Sequence, residues 1–164
     1  MFGLTPYRIV KSGILAVLAI VLLGAVVAHK MIGDNFDSPI IDVLTPISVT
    51  DGDTVRSGGY AYRLVGFDAP ESGSLARCER ERTLAAAATG RLKQLISNGA
   101  TSLQRVACAC RPGTEETQAC NYGRRCGVLK VDGRDVGSIL ISEGLARPYI
   151  CGATRCPRRQ SWCN

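Results

Sequence analysis

Histidine is all but missing from this chain: His29 is the one copy in 164 residues. It falls in a stretch that reads as a linker, so general acid or base chemistry in the folded part must come from other side chains. Cysteine is absent before residue 78, and the eight that follow contain no C-x2-C pair. Without such knuckles, a zinc site on Cys108, Cys110, Cys120 and Cys126 is a poor fit to the spacing. There is no internal repeat either. The length suits one domain and not comfortably two.

The one long apolar run lies at the start. Residues 13–28, GILAVLAIVLLGAVVA, carry no charge, and Ile9 and Val10 extend the run beyond Lys11 and Ser12. A spanning helix needs roughly 20 apolar residues and a signal-peptide core about 7 to 15. Residues 1–28 therefore read as an N-terminal hydrophobic helix, either an uncleaved membrane anchor or a signal cleaved after Ala28. Arg8 and Lys11 ahead of it keep the N-terminus cytoplasmic. The anchor is preferred because no Gly/Pro-rich break precedes the cleavage position; a buried core helix would have too little chain around it. Either way the rest of the chain is exported to the outer face of the membrane or beyond. Residues 29–45, with a Gly, a Pro and three acids, read as a linker, and residues 46–164 as the domain.

The cysteines fit export. Cys78, Cys108, Cys110, Cys120, Cys126, Cys151, Cys156 and Cys163 all follow the apolar run, and an even number in a small exported domain implies disulfides. Connectivity is not readable, although Cys110 with Cys120 and Cys151 with Cys156 would close short loops. After residue 28 there are 18 Lys and Arg against 14 Asp and Glu, and 15 of those cations are arginine. That balance leans toward a phosphate-bearing partner.

The densest chemistry lies in residues 51–71, DGDTVRSGGYAYRLVGFDAPE. Asp53, Asp68 and Glu71 are brought together by a hairpin, and Arg63 lies among them. Asp51-Gly52-Asp53 and Gly58-Gly59 are turn signals, with Asp51 a turn former. Strand alternation puts Tyr60, Tyr62, Leu64 and Gly66 on one face and Ala61, Arg63, Val65 and Phe67 on the other. Clustered carboxylates call for a hard divalent cation. A guanidinium beside them suits a phosphate oxygen. Acids, a metal and arginines together point to phosphodiester cleavage.

Further along, residues 79–98 read as a helix with Leu84, Ala88, Leu92 and Leu95 on one stripe and Gly99 as its stop. Residues 101–109 alternate as a strand, with Leu103, Val106 and Cys108 as core candidates. A polar loop at 111–118 precedes a strand at 123–131, and residues 136–143 form a short helix stopped by Gly144. Three strands, a helix, two strands and a helix describe an α+β domain whose tight early turns favour a small barrel.

That order, with DGDTV at 51–55, YRLVGFDAPE at 62–71, NYGRRCGVLKVDGRDV at 121–136 and ISEGLARPY at 141–149, resembles the staphylococcal-nuclease-like (thermonuclease) family over residues 47–150. The resemblance implies an OB-fold, a five-stranded β-barrel with two to three helices. It implies one calcium ion, Ca2+, on Asp53, Asp68 and the carbonyl of Ala69. Glu71 would orient or deprotonate the attacking water, and Arg63 and Arg124 would clamp the phosphate. Tyr122 would contact substrate phosphate, and Tyr149 would line the cleft against a base. The implied partners are DNA or RNA as substrate and the membrane through the N-terminal segment, for a monomer; the products would carry a 5′-hydroxyl and a 3′-phosphate. Three departures stand out: Ala69 where threonine is common, Asn121 where the best-known member has lysine before the tyrosine, and CPRRQSWC in place of a long C-terminal helix. Two other readings share the residues: an oligonucleotide-binding OB-fold that does not cut, and a small redox or zinc protein.

Overall fold

The computed structural model describes residues 45–163. The anchor or signal segment and nearly all of the linker lie outside these residues. Among the described residues no helix is long and apolar enough to cross a membrane.

Strand β1 (Ser48–Asp51) ends where the Asp51 carboxylate accepts a hydrogen bond from the Asp53 amide at 3.1 Å, closing the turn into β2 (Thr54–Ser57). Gly58 and Gly59, with φ of 57° and 82°, turn the chain into β3 (Tyr60–Leu64). Their freedom to adopt positive φ is what this two-residue turn requires. β2 and β3 then pair antiparallel from Thr54 opposite Arg63 to Ser57 opposite Tyr60. Alternation predicts one uninterrupted strand here, but the chain breaks at Val65. Gly66 has φ of 92°, and β4 (Gly66–Asp68) leaves the main sheet. The break shifts the phase by one residue. Phe67 joins Tyr62 and Leu64 in the core instead of sharing a face with Arg63, and Asp68 is buried next to it.

Helix α1 (Glu79–Asn98) matches its predicted bounds and buries Ala85, Ala88 and Leu92, with Leu95 and Ile96 packed at the rim. Leu84 is only half-buried. Gly99 ends the helix in extended geometry; a side chain there would strike Val131 and Asp132. β5 (Thr101–Val106) pairs antiparallel with β6 (Arg125–Val131), and β6 runs parallel to β3. Val106 and Cys108 stay half-exposed, so only Leu103 of the candidates enters the core. A short β7 (Arg134–Asp135) pairs with β6 and leads into α2 (Val136–Ser142). The Asp135 carboxylate caps that helix by accepting from the Ser138 amide at 2.8 Å. Finally β8 (Arg147–Tyr149) pairs antiparallel with β4.

The fold is therefore α+β. Its mixed sheet runs β1-β2-β3-β6-β5, with β7 beside β6 and β4-β8 as a separate ribbon. Among the described residues no ladder joins β1 to β5, so the sheet is not the closed barrel expected. Val55, Tyr62, Leu64, Phe67, Leu92, Leu103, Leu129, Val136 and Leu140 make one core between the sheet and the helices. Burying each large apolar side chain contributes about 1.5–3 kcal/mol.

Four disulfides close the molecule: Cys78–Cys163, Cys108–Cys126, Cys110–Cys120 and Cys151–Cys156. Both short-loop pairings read from spacing are present. The four cysteines of the alternative zinc site are all bonded in pairs, which leaves them no thiolates. Glu81 also lies beside Cys78 and Cys163, but those two sulfurs are bonded to each other as well.

Candidate active site

The hairpin turns and the Gly66 break bring Asp53, Arg63, Asp68 and Glu71 to one end of the sheet. Asp53 and Asp68 are 5% and 4% exposed, a costly position for two carboxylates unless cations and amides compensate. Asp53 accepts hydrogen bonds from the Ala69 amide at 3.0 Å and the Thr54 hydroxyl at 3.3 Å. Arg63 ion-pairs with Asp53, and its other terminal nitrogen reaches Asp68 at 3.3 Å and the Phe67 carbonyl at 3.4 Å. Burial lowers the Arg63 guanidinium to about 10, the charges of Arg159 and Arg124 add to the lowering, and Asp68 and Asp51 oppose it.

Arg124 approaches the same end from the β6 side. The chain before it makes a 3-10 turn at Asn121–Gly123, where Asn121, Tyr122 and Gly123 all have positive φ. Asn121 orients the arginine: its carbonyl accepts from Arg124 Nε at 3.1 Å and its side-chain oxygen from Nη2 at 3.0 Å. Arg124 Nη1 donates to Thr54 at 3.1 Å. Asn121 thus aims an arginine and offers no charge of its own. Tyr122 is 77% exposed, with Arg124 lying 5.8 Å from its ring centroid. Tyr149 is half-buried, and its hydroxyl donates to the Pro157 carbonyl at 2.6 Å.

Sequence reasoning missed Arg159. It lies on the C-terminal strap, residues 151–163, beyond the stretch that carries the resemblance. Its guanidinium bonds Asp68 and Glu71, donates to the Ala69 carbonyl at 3.1 Å, and lies 4.0 Å from Asp53. Burial alone would lower its pKa, but the hydrogen bonds and charges of Asp68 and Glu71 outweigh that and raise it. The one signal in the sequence is an arginine pair, Arg158-Arg159, enclosed between Cys156 and Cys163. The strap is fastened by Cys78–Cys163 and by Trp162, which is buried under the Arg147 guanidinium at 3.8 Å and directs its indole N–H to Asp68 at 3.4 Å. Glu81 carries no signal in the sequence beyond its place in α1. It is 3% exposed and accepts from the amides of Arg77 at 2.8 Å and Glu71 at 3.3 Å, so it anchors the loop that presents Glu71.

A cleft of about 780 Å³ opens here. Asp53, Arg63, Glu71, Tyr122, Arg124, Tyr149 and Arg159 line it, so most of the residues singled out in the sequence share one cavity. Asp68, engaged by Arg63, Arg159 and Trp162, is not among the lining residues. Oxygens of Asp68 and the Ala69 carbonyl converge on one guanidinium, with Asp53 near by. That all-oxygen set, already gathered around a positive charge, fits a hard divalent cation.

No protein-family model and no curated protein matches the chain. The functional reading therefore stands on the cleft's own residues.

Proposed function

We propose that this protein is a nuclease that hydrolyses phosphodiester bonds in single-stranded DNA or RNA, on a domain related to the OB-fold of the thermonucleases. The observation that carries the reading is the gathering of three acids and three arginines in and beside one cleft. Asp53, Asp68 and the Ala69 carbonyl would hold a calcium ion, which when bound polarises a phosphate oxygen and offsets the charge that builds on it.

The protein's own groups do the rest. Arg63 and Arg124 hold the phosphate's anionic oxygens with their planar forks. Glu71, the most exposed of the three acids at 32% of its side chain, aims the attacking water and takes its proton. Glu81 keeps that carboxylate in place through the Glu71 amide. Tyr122 and Tyr149 line the cleft where a nucleotide would lie, and stacking there is tolerant of base identity. Recognition is of phosphate rather than base edges, so base preference is slight. The four disulfides support an oxidising, extracytoplasmic setting.

The test is cleavage of labelled single-stranded DNA and RNA by the purified full-length chain, with calcium and with chelator, and with Glu71→Gln as control. Calcium-dependent cutting that this variant loses is the expected result. Binding of the oligonucleotide without cutting would assign an oligonucleotide-binding module instead.

A further inference from the structure

We propose that Arg159 is a tethered competitor of the divalent cation: guanidinium and ion take turns in one oxygen pocket, and the disulfide-held strap keeps the competitor at hand. The inference rests on the metal reading above and adds a control on that site. Arg159 engages Asp68 and Glu71 and donates to the Ala69 carbonyl at 3.1 Å, with Asp53 at 4.0 Å. Asp53, Asp68 and Ala69 are the oxygens assigned to the ion. The Ala69 carbonyl and an Asp68 oxygen are both taken by Arg159, so an ion seated on them displaces that guanidinium. When Arg159 leaves, Asp53 and Asp68 both keep Arg63, and Glu71 is released to solvent.

The strap is suited to this exchange. Cys78–Cys163 fixes its far end on the start of α1, and Cys151–Cys156 closes its near end into a short loop. Between them residues 157–162 have no regular secondary structure. Arg159 is thus confined near the acids but joined to them only through its side chain, so it can leave without unfolding anything. Trp162, the one tryptophan of the chain, donates to Asp68 at 3.4 Å and reports on the pocket.

Calcium affinity of the full-length chain, read by calorimetry and by Trp162 fluorescence, tests the proposal. A competitor seated nine-tenths of the time weakens apparent affinity about tenfold, so Arg159→Gln should tighten calcium binding by about that factor. Arg159→Lys, which keeps a charge, should stay nearer the native value. Asp53→Asn should lose the binding in either background. Equal calcium affinities for the native chain and Arg159→Gln would overturn the competitor while leaving the metal site standing. No calcium binding by any of these proteins would overturn both. A measurement on the native chain guards against a variant that does not fold. The Arg159 Nε–H resonance should lose its protection from exchange at the calcium midpoint, and its survival at saturation would overturn the proposal.

Discussion

Arg63 is the residue on which the cleft's charge balance turns. It pairs with Asp53 and Asp68, and the proposed cleavage also requires it to remain positive toward phosphate. Burial and neighbouring arginines have brought its pKa down to about 10. The charged form is therefore complete at neutral pH and is lost as pH rises through about 10, well before an ordinary arginine would deprotonate. Oligonucleotide affinity of the inert Glu71→Gln protein, followed by fluorescence anisotropy, should hold steady to about pH 9 and fall through about pH 10. A flat profile to pH 11 would contradict the joint reading of a lowered Arg63 pKa and an Arg63–phosphate contact. Glu71 has the opposite signature. If Glu71 activates the water as proposed, its replacement by Gln should reduce cleavage by about 10²–10⁴-fold while calcium affinity does not fall, because Arg159 loses a partner. The sequence exposed these residues because acids and an arginine in one hairpin are rare without a ligand. It could not expose Arg159, whose approach to Asp68 spans 91 residues and depends on a disulfide partner that spacing does not determine.

At the scale of elements, the legible parts are those set by local turn and helix chemistry. Asp51-Gly52, Gly58-Gly59 and the helical pattern of α1 each dictate their own geometry; the structure keeps both turns and the helix bounds and centres the buried stripe on Ala85, Ala88 and Leu92. What the pattern obscured was the break at Val65-Gly66, because the chain is extended on both sides of it and a single glycine at positive φ changes the phase. That phase change is what buries Asp68. The site also depends on how closely its elements approach. Gly52 sits flush against the strap-side loop and the helix: a Cβ there would lie 2.8 Å from the Ala69 methyl and 3.0 Å from that of Ala88. Gly52→Ala should destabilise the domain by about 1–3 kcal/mol, seen as a lower urea midpoint, and should also weaken calcium binding by pushing Ala69 from Asp53. Glu81 supports the same loop from α1. Removing its carboxylate leaves two part-buried amides without their acceptor, at about 1 kcal/mol each. Glu81→Leu should therefore lower kcat more than it raises KM, since Glu71 is loosened while Arg63 and Arg124 are not. A change in KM alone would contradict the anchoring role.

For the whole molecule, the disulfides do the work that a longer C-terminal helix could otherwise do, and their value depends on the loop each one closes. Cys78–Cys163 spans 85 residues, from the start of α1 to the end of the strap, whereas Cys151–Cys156 spans 5. If cross-links act mainly by restricting the unfolded chain, the long loop contributes about 4–5 kcal/mol and the short one about 2 kcal/mol. The two also differ in what they hold. Loss of the short loop leaves the strap fastened at Cys163, with Trp162 still buried under Arg147. Loss of the long one frees the segment that carries both Trp162 and Arg159. The paired variants Cys78→Ala/Cys163→Ala and Cys151→Ala/Cys156→Ala, compared by urea unfolding, should therefore differ by about 2–3 kcal/mol, with the first less stable. Only the first should shift the Trp162 emission to the red under native conditions, because its indole then meets water. It should also bind calcium more tightly per folded molecule, since Arg159 is no longer held at the pocket. Equal stabilities with an unshifted emission would mean that the strap is seated by its own packing, by Arg147 on Trp162 and Tyr149 on Pro157, and that the long disulfide merely follows it.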